Sequence, residues 1–93
     1  MIDAGSIKHT GLKGLVAKGR SKAVPQNLTK RIMNRLTALE AMVEISDLPP
    51  SYHAHQLSGK RRGTWAIWIS GPWRMTFKFR AEKVFDLSLE QYH

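Results

Sequence analysis

Apolar residues recur at intervals of three and four in the first half of this chain and at intervals of two in the second. The first spacing marks the buried stripe of a helix, the second a strand with one covered face. Residues 1–7, with Ile2 and Ile7 as their apolar content, read as a short strand. Residues 11–18 place Leu12, Leu15 and Val16 on one side of a short helix, which Gly19-Arg20-Ser21-Lys22 breaks. Pro25 stands where a second helix begins, a place where its missing N–H costs nothing. From there Leu28, Ile32, Leu36, Leu39 and Val43 form the stripe, and Lys30, Arg31 and Arg35 fall largely off it. Pro49 and Pro50 end that helix.

A short strand is expected over residues 52–57, closed by Ser58-Gly59. Trp65, Ile67 and Ile69 then alternate with Ala66 and Trp68, and Ser70-Gly71-Pro72 makes a turn. In the next strand Met75, Phe77 and Phe79 alternate with Arg74, Thr76, Lys78 and Arg80. Ala81-Glu82-Lys83 is a second turn, and residues 84–89 form the last strand. The order β-α-α-β-β-β, with a possible extra strand, predicts an α+β fold: two N-terminal helices packed on one face of an antiparallel sheet. With 93 residues, the chain is read as one domain over residues 1–93.

Composition narrows the chemistry. Cysteine is absent, which excludes disulfides, thiolate metal sites and a cysteine nucleophile. No twenty-residue apolar span occurs, and the start, MIDAGSIKHT, lacks the basic head and apolar stretch of a signal peptide, so a cytoplasmic location is expected. Fifteen Lys and Arg stand against seven Asp and Glu, a formal charge of +8. Asp3 is the only acid before Glu40, and none lies between Gly59 and Arg80. Such a field favours polyanions, so nucleic acid or the ribosome is the expected partner. No amphipathic basic helix with an aromatic face favours a membrane.

The Arg74–Arg80 strand turns Arg74, Lys78 and Arg80 to one face with no acid among them, an arrangement suited to a phosphate backbone. Of the four histidines, His53 and His55 would share a strand face, but no carboxylate or Cys lies nearby to complete a metal site. Two imidazoles converging with an Arg would support metal-free RNA cleavage, an imidazole taking the 2′-OH proton or returning one to the leaving oxygen while the Arg stabilises the crowded phosphate.

These residues occur in a chain that resembles the HigB-type toxins of the RelE/ParE superfamily, the mRNA-cleaving halves of bacterial type II toxin–antitoxin pairs. The resemblance runs over nearly the whole chain: "GLKGLVAKG", then "HQLSGKRRGTWAIWI", "GPWRMTF" and the terminal "YH". Its most specific parts are the L-x-G turn at Leu57, Ser58 and Gly59, the strand start Pro72-Trp73-Arg74, and the closing Tyr92-His93.

The resemblance implies a small RelE-like fold with a curved antiparallel sheet, entry into the A site of the 70S ribosome, and mRNA cleavage there. It implies 2′-OH attack that leaves a cyclic phosphate, with no metal or other cofactor. The family histidine before the turn matches His55, the strand-start arginine matches Arg74, and the terminal pair matches Tyr92 and His93. His55 and His93 are then the proton-transfer residues, Arg74 stabilises the phosphate, and Tyr92 stacks on or orients the substrate. Lys60, Arg61, Arg62, Lys78 and Arg80 are the expected RNA- and ribosome-binding cations. The implied partner is a cognate helix-turn-helix antitoxin, through which alone operator DNA would be met. Two positions depart from the family: Ser58 replaces a frequent lysine and Gln91 a frequent acid, with Lys60 and Glu90 close by as substitutes. Two other readings are a ParE-like gyrase inhibitor and a non-catalytic basic module that binds nucleic acid through charge and the tryptophans.

Overall fold

Among the described residues four strands run in the order β1-β2-β3-β4 and every neighbouring pair is antiparallel. The computed structural model describes residues 1–91; Tyr92 and His93 lie outside the described residues. The elements are α1 (Thr10–Lys18), α2 (Thr29–Ala41), β1 (His55–Gln56), β2 (Trp65–Ser70), β3 (Trp73–Arg80) and β4 (Lys83–Gln91). The two helices cover one face of the sheet, as the alternation predicts. Leu12, Leu15, Ile32, Leu36 and Leu39 meet Ile67, Ile69, Met75, Phe77, Leu87 and Leu89 in one core. Phe77 has no exposed surface, and burying a side chain of that size stabilises the fold by roughly 1.5–3 kcal/mol.

Helix α1 starts at His9, whose Nδ1 accepts the Leu12 N–H at 3.2 Å. It stops at Gly19, where φ is 75° and the N–H bonds back to Leu15 O; a glycine adopts that left-handed cap without a Cβ clash. Helix α2 is shorter than its apolar stripe predicts. Val43 lies beyond its end and is 55% exposed, while Met42 takes the core position. The cause is Asp47, whose carboxylate accepts the N–H groups of Val43 and Glu44 at 2.9 and 3.0 Å and so draws the backbone away from helix. Arg35 is a second correction. It is buried, lies 4.2 Å from the Tyr52 ring centroid and donates to Trp68 O, so it belongs to the packing rather than to a solvated basic face.

Two expected strands are largely replaced by 3-10 turns. Residues 1–7 contribute one parallel bridge, Ile2 to Val84, before Ala4–Ser6 turn under an Asp3 cap. In residues 52–57 only His55 and Gln56 pair, because Pro49 and Pro50 preset a turn over Pro50–Tyr52 that ends on His53 at φ 52°. The final hairpin carries a bulge. Thr76 pairs with Ser88 but Lys78 pairs with Phe85, so β4 holds one extra residue, and Asp86 sits there at φ 54°. The bulge lets Val84 and Leu87 both reach the core while Asp86 turns to the opposite face.

Candidate active site

The face of the sheet away from the helices presents two rows of side chains. Register places His55, Ala66, Thr76 and Ser88 in one row, and Trp68, Arg74 and Glu90 in the next. Strand spacing and rise put His55 and Arg74 roughly 12 Å apart at Cα, on the same face. A cleft of about 330 Å³ opens over this face, lined by Lys8, Lys60, Arg61 and Lys78 with Asp86, Glu90 and the hydroxyls of Thr76 and Ser88. Cations outnumber acids in that lining, so the cleft favours an anionic ligand.

The strand face is not free of acids, and this corrects the sequence reading. Strand β4 brings two carboxylates onto it by register, which β3 alone does not reveal. Glu90 Oε1 accepts from Arg74 Nε and Nη2 at 2.9 and 2.6 Å and from Arg61 Nη1 at 2.8 Å, and Oε2 accepts from Arg61 Nη2 at 3.1 Å. The hydrogen bonds from Arg61 hold the Glu90 carboxyl below the ordinary carboxylate range; burial opposes them, and the hydrogen bonds from Arg74 and the charges of both arginines add to the lowering. The same contact raises Arg61 above the usual guanidinium value. Further along, the Asp86 carboxylate lies 3.9 Å from both Lys8 and Lys78.

Arg74 is the most enclosed of the expected phosphate ligands, with 18% of its side chain exposed. Lys60 and Arg61 stand on a 3-10 turn, Gly59–Arg61, that Arg62 caps; all three are exposed. Lys78 is half-buried, and Arg80, at the far end of β3, lies 5.5 Å from the Phe85 ring centroid.

His55 is exposed, with its Nδ1 2.8 Å from His53 O. A carbonyl only accepts, so neutral His55 carries its proton on Nδ1 and presents Nε2 as the basic nitrogen. His53 does not share the strand; it leaves the preceding turn and sets its ring edge against Trp68, 6.0 Å between centroids. Among the described residues no three His, Asp or Glu side chains converge as metal ligands. Tyr92 and His93 lie outside the described residues. Sequence reasoning passed over Asp86, Ser88 and Thr76 as lining groups; alternation along β4 is the signal that groups Asp86, Ser88 and Glu90.

Two comparisons show the family and a third the fold. The model of the HigB-like toxin family, described as the RelE-like toxin of type II toxin–antitoxin system HigB, matches residues 5–93. Endoribonuclease HigB of Proteus vulgaris is 40% identical over 89 residues, covering 95% of this chain and 97% of that protein. The crystal structure of YafQ from E. coli strain BL21(DE3) superposes with a TM-score of 0.55 at 16% identity, over 98% of this chain and 91% of that one, a likeness of fold. This chain belongs to the HigB-like family of RelE-like toxins of type II toxin–antitoxin systems.

Proposed function

We propose that the protein is an endoribonuclease that cuts mRNA in the A site of the translating ribosome and so inhibits translation. The observation that carries this reading is the arginine cluster at Glu90 on the cationic sheet face, with the basic nitrogen of His55 on the same face. The name of the Proteus vulgaris relative, Endoribonuclease HigB, supports the activity.

In the reaction a histidine, His55 or His93, takes the proton of a ribose 2′-OH as that oxygen attacks the adjacent phosphorus. The P–O5′ bond breaks, the other histidine returns a proton to the leaving oxygen, and a 2′,3′-cyclic phosphate remains. Arg74 neutralises the charge that builds on the non-bridging oxygens. Tyr92 orients the nucleotide. No metal or other cofactor enters these steps. Lys60, Arg61, Arg62, Lys78 and Arg80 hold the RNA backbone and the ribosome. A helix-turn-helix antitoxin restrains the protein in the bacterial cytoplasm and is its only route to operator DNA.

The test is primer extension on mRNA bound to translating ribosomes. His55→Ala and deletion of His93 should each slow cleavage about a hundredfold or more, the usual worth of a general acid or base. Unchanged cleavage by both variants would refute the assignment.

A further inference from the structure

Two guanidinium groups close on one carboxylate at Glu90. Oε1 takes three N–H contacts and Oε2 a fourth, all between 2.6 and 3.1 Å. Among these three side chains, one negative charge sits between two positive ones. A phosphodiester group offers the same single charge and two terminal oxygens, the geometry for which paired guanidinium forks are suited. Glu90 is 27% exposed and lines the cleft, so an incoming anion reaches it from solvent. Its strand places it there: Glu90 is the direct cross-strand neighbour of Arg74.

We propose that Glu90 is an internal stand-in for a substrate phosphate, holding the Arg61 and Arg74 forks together before RNA arrives and yielding them to an RNA phosphate on binding. This inference rests on the RNA reading above and adds to it a named seat for one phosphate and a residue that competes for it. The carboxylate keeps two like-charged guanidiniums from separating before substrate arrives. The same contact also opposes binding, because RNA must break it. Its lowered pKa agrees with the tight pairing. Among the described residues the charged groups facing it are Arg61 on the 3-10 turn and Arg74 on β3, with Lys8, Lys60, Lys78 and Asp86 elsewhere in the cleft lining.

The experiment compares the full chain with its Glu90→Gln variant, using a fluorescent RNA oligonucleotide made uncleavable by 2′-O-methyl groups, over a salt series. Glutamine keeps the shape and removes the charge. The variant should bind roughly threefold to tenfold more tightly, the size expected for freeing two partly exposed pairs. Its salt slope should steepen by about 0.7 for each cation released to a single strand. Equal or weaker binding with the same slope would overturn the proposal and leave Glu90 as an orienting group only. A second measurement needs no variant: the Glu90 carboxyl titration followed by carbon NMR in the parent chain. Saturation with the same RNA should move its midpoint up toward the ordinary carboxylate range, and an unmoved midpoint would also overturn the proposal. Neither readout involves cleavage. Tighter binding by Glu90→Gln in a parent that cuts no RNA would uphold the phosphate seat and refute the nuclease reading; active cleavage without the binding change would do the reverse.

Discussion

Trp68 and Arg74 are direct cross-strand partners, and the indole is anchored where it stands by donating its Nε1–H to Gly71 O at 3.0 Å. The His53 ring edge rests on the same indole, and the His53 carbonyl faces Nδ1 of His55. A chain of contacts thus runs from the short edge strand β1 to the arginine of β3. Hydrogen-bonded and packed neighbours hold both proposed reacting groups in place, which is the preorganisation that charge stabilisation in a transition state requires.

The cap of α1 makes stability depend on pH. His9 accepts a hydrogen bond in its neutral form, and burial pulls its pKa below the ordinary 6.5. The unfolded chain therefore binds that proton more readily than the folded one, so this contribution is complete above about pH 6.5 and is lost as pH falls toward the lowered value. The melting temperature should drop between pH 7.5 and 5.5 in the parent. In His9→Asn, whose amide oxygen caps without titrating, the drop should shrink. An equal drop in both would show that the cap does not titrate.

Gly11 sits where α1 crosses Val24. A Cβ added there would lie 2.8 Å from Val24 Cγ2 and 2.8 Å from His9 Cε1. Alanine gains about 1 kcal/mol of helix propensity over glycine, while overpacking a buried contact costs about 1–3 kcal/mol. Val24 is a buried, branched side chain with little room to give, so Gly11→Ala should lower the urea midpoint. A raised midpoint would mean that the helix shifts freely.

Lys60 and Arg62 are exposed on the turn beside the cleft, whereas Arg61 is committed to Glu90. Reversing Lys60 and Arg62 to Glu should weaken 70S binding and flatten its salt slope, by about 0.7–0.9 for each lost phosphate contact. Folding stability should stay within about 0.5 kcal/mol, as for other exposed substitutions. Unchanged affinity across a salt series would remove this turn from the ribosome contact.

Hydrophobic periodicity revealed both helices, the β2–β3 hairpin and the covered face, because those segments owe their structure to burial of one stripe or one side. It failed where a local backbone contact outweighed the pattern. The Asp47 carboxylate ended α2 before Val43, and the Asp3 cap and the Pro49-Pro50 pair turned two expected strands into 3-10 segments. The Asp86 bulge, which puts both Val84 and Leu87 in the core, was not foreseen; Asp tolerates a left-handed backbone without advertising it in the sequence. At the site, Arg74 and the basic turn were legible from strand alternation and charge. That Arg61 and Arg74 share Glu90 was not, since it depends on how the 59–61 turn docks against β4. The expected roles of Tyr92 and His93 fall outside the described residues.

The most direct test of the central claim is mRNA cleavage on programmed 70S ribosomes by the parent protein and by Arg74→Ala, with product ends identified chemically. The parent should cut in the A site and leave 2′,3′-cyclic phosphate ends. Arg74→Ala, folded by circular dichroism and still bound to ribosomes, should cut on the order of a hundredfold or more slowly, the loss typical of removing one transition-state charge stabiliser. No cleavage by the parent, or equal cleavage by both proteins, would contradict the account.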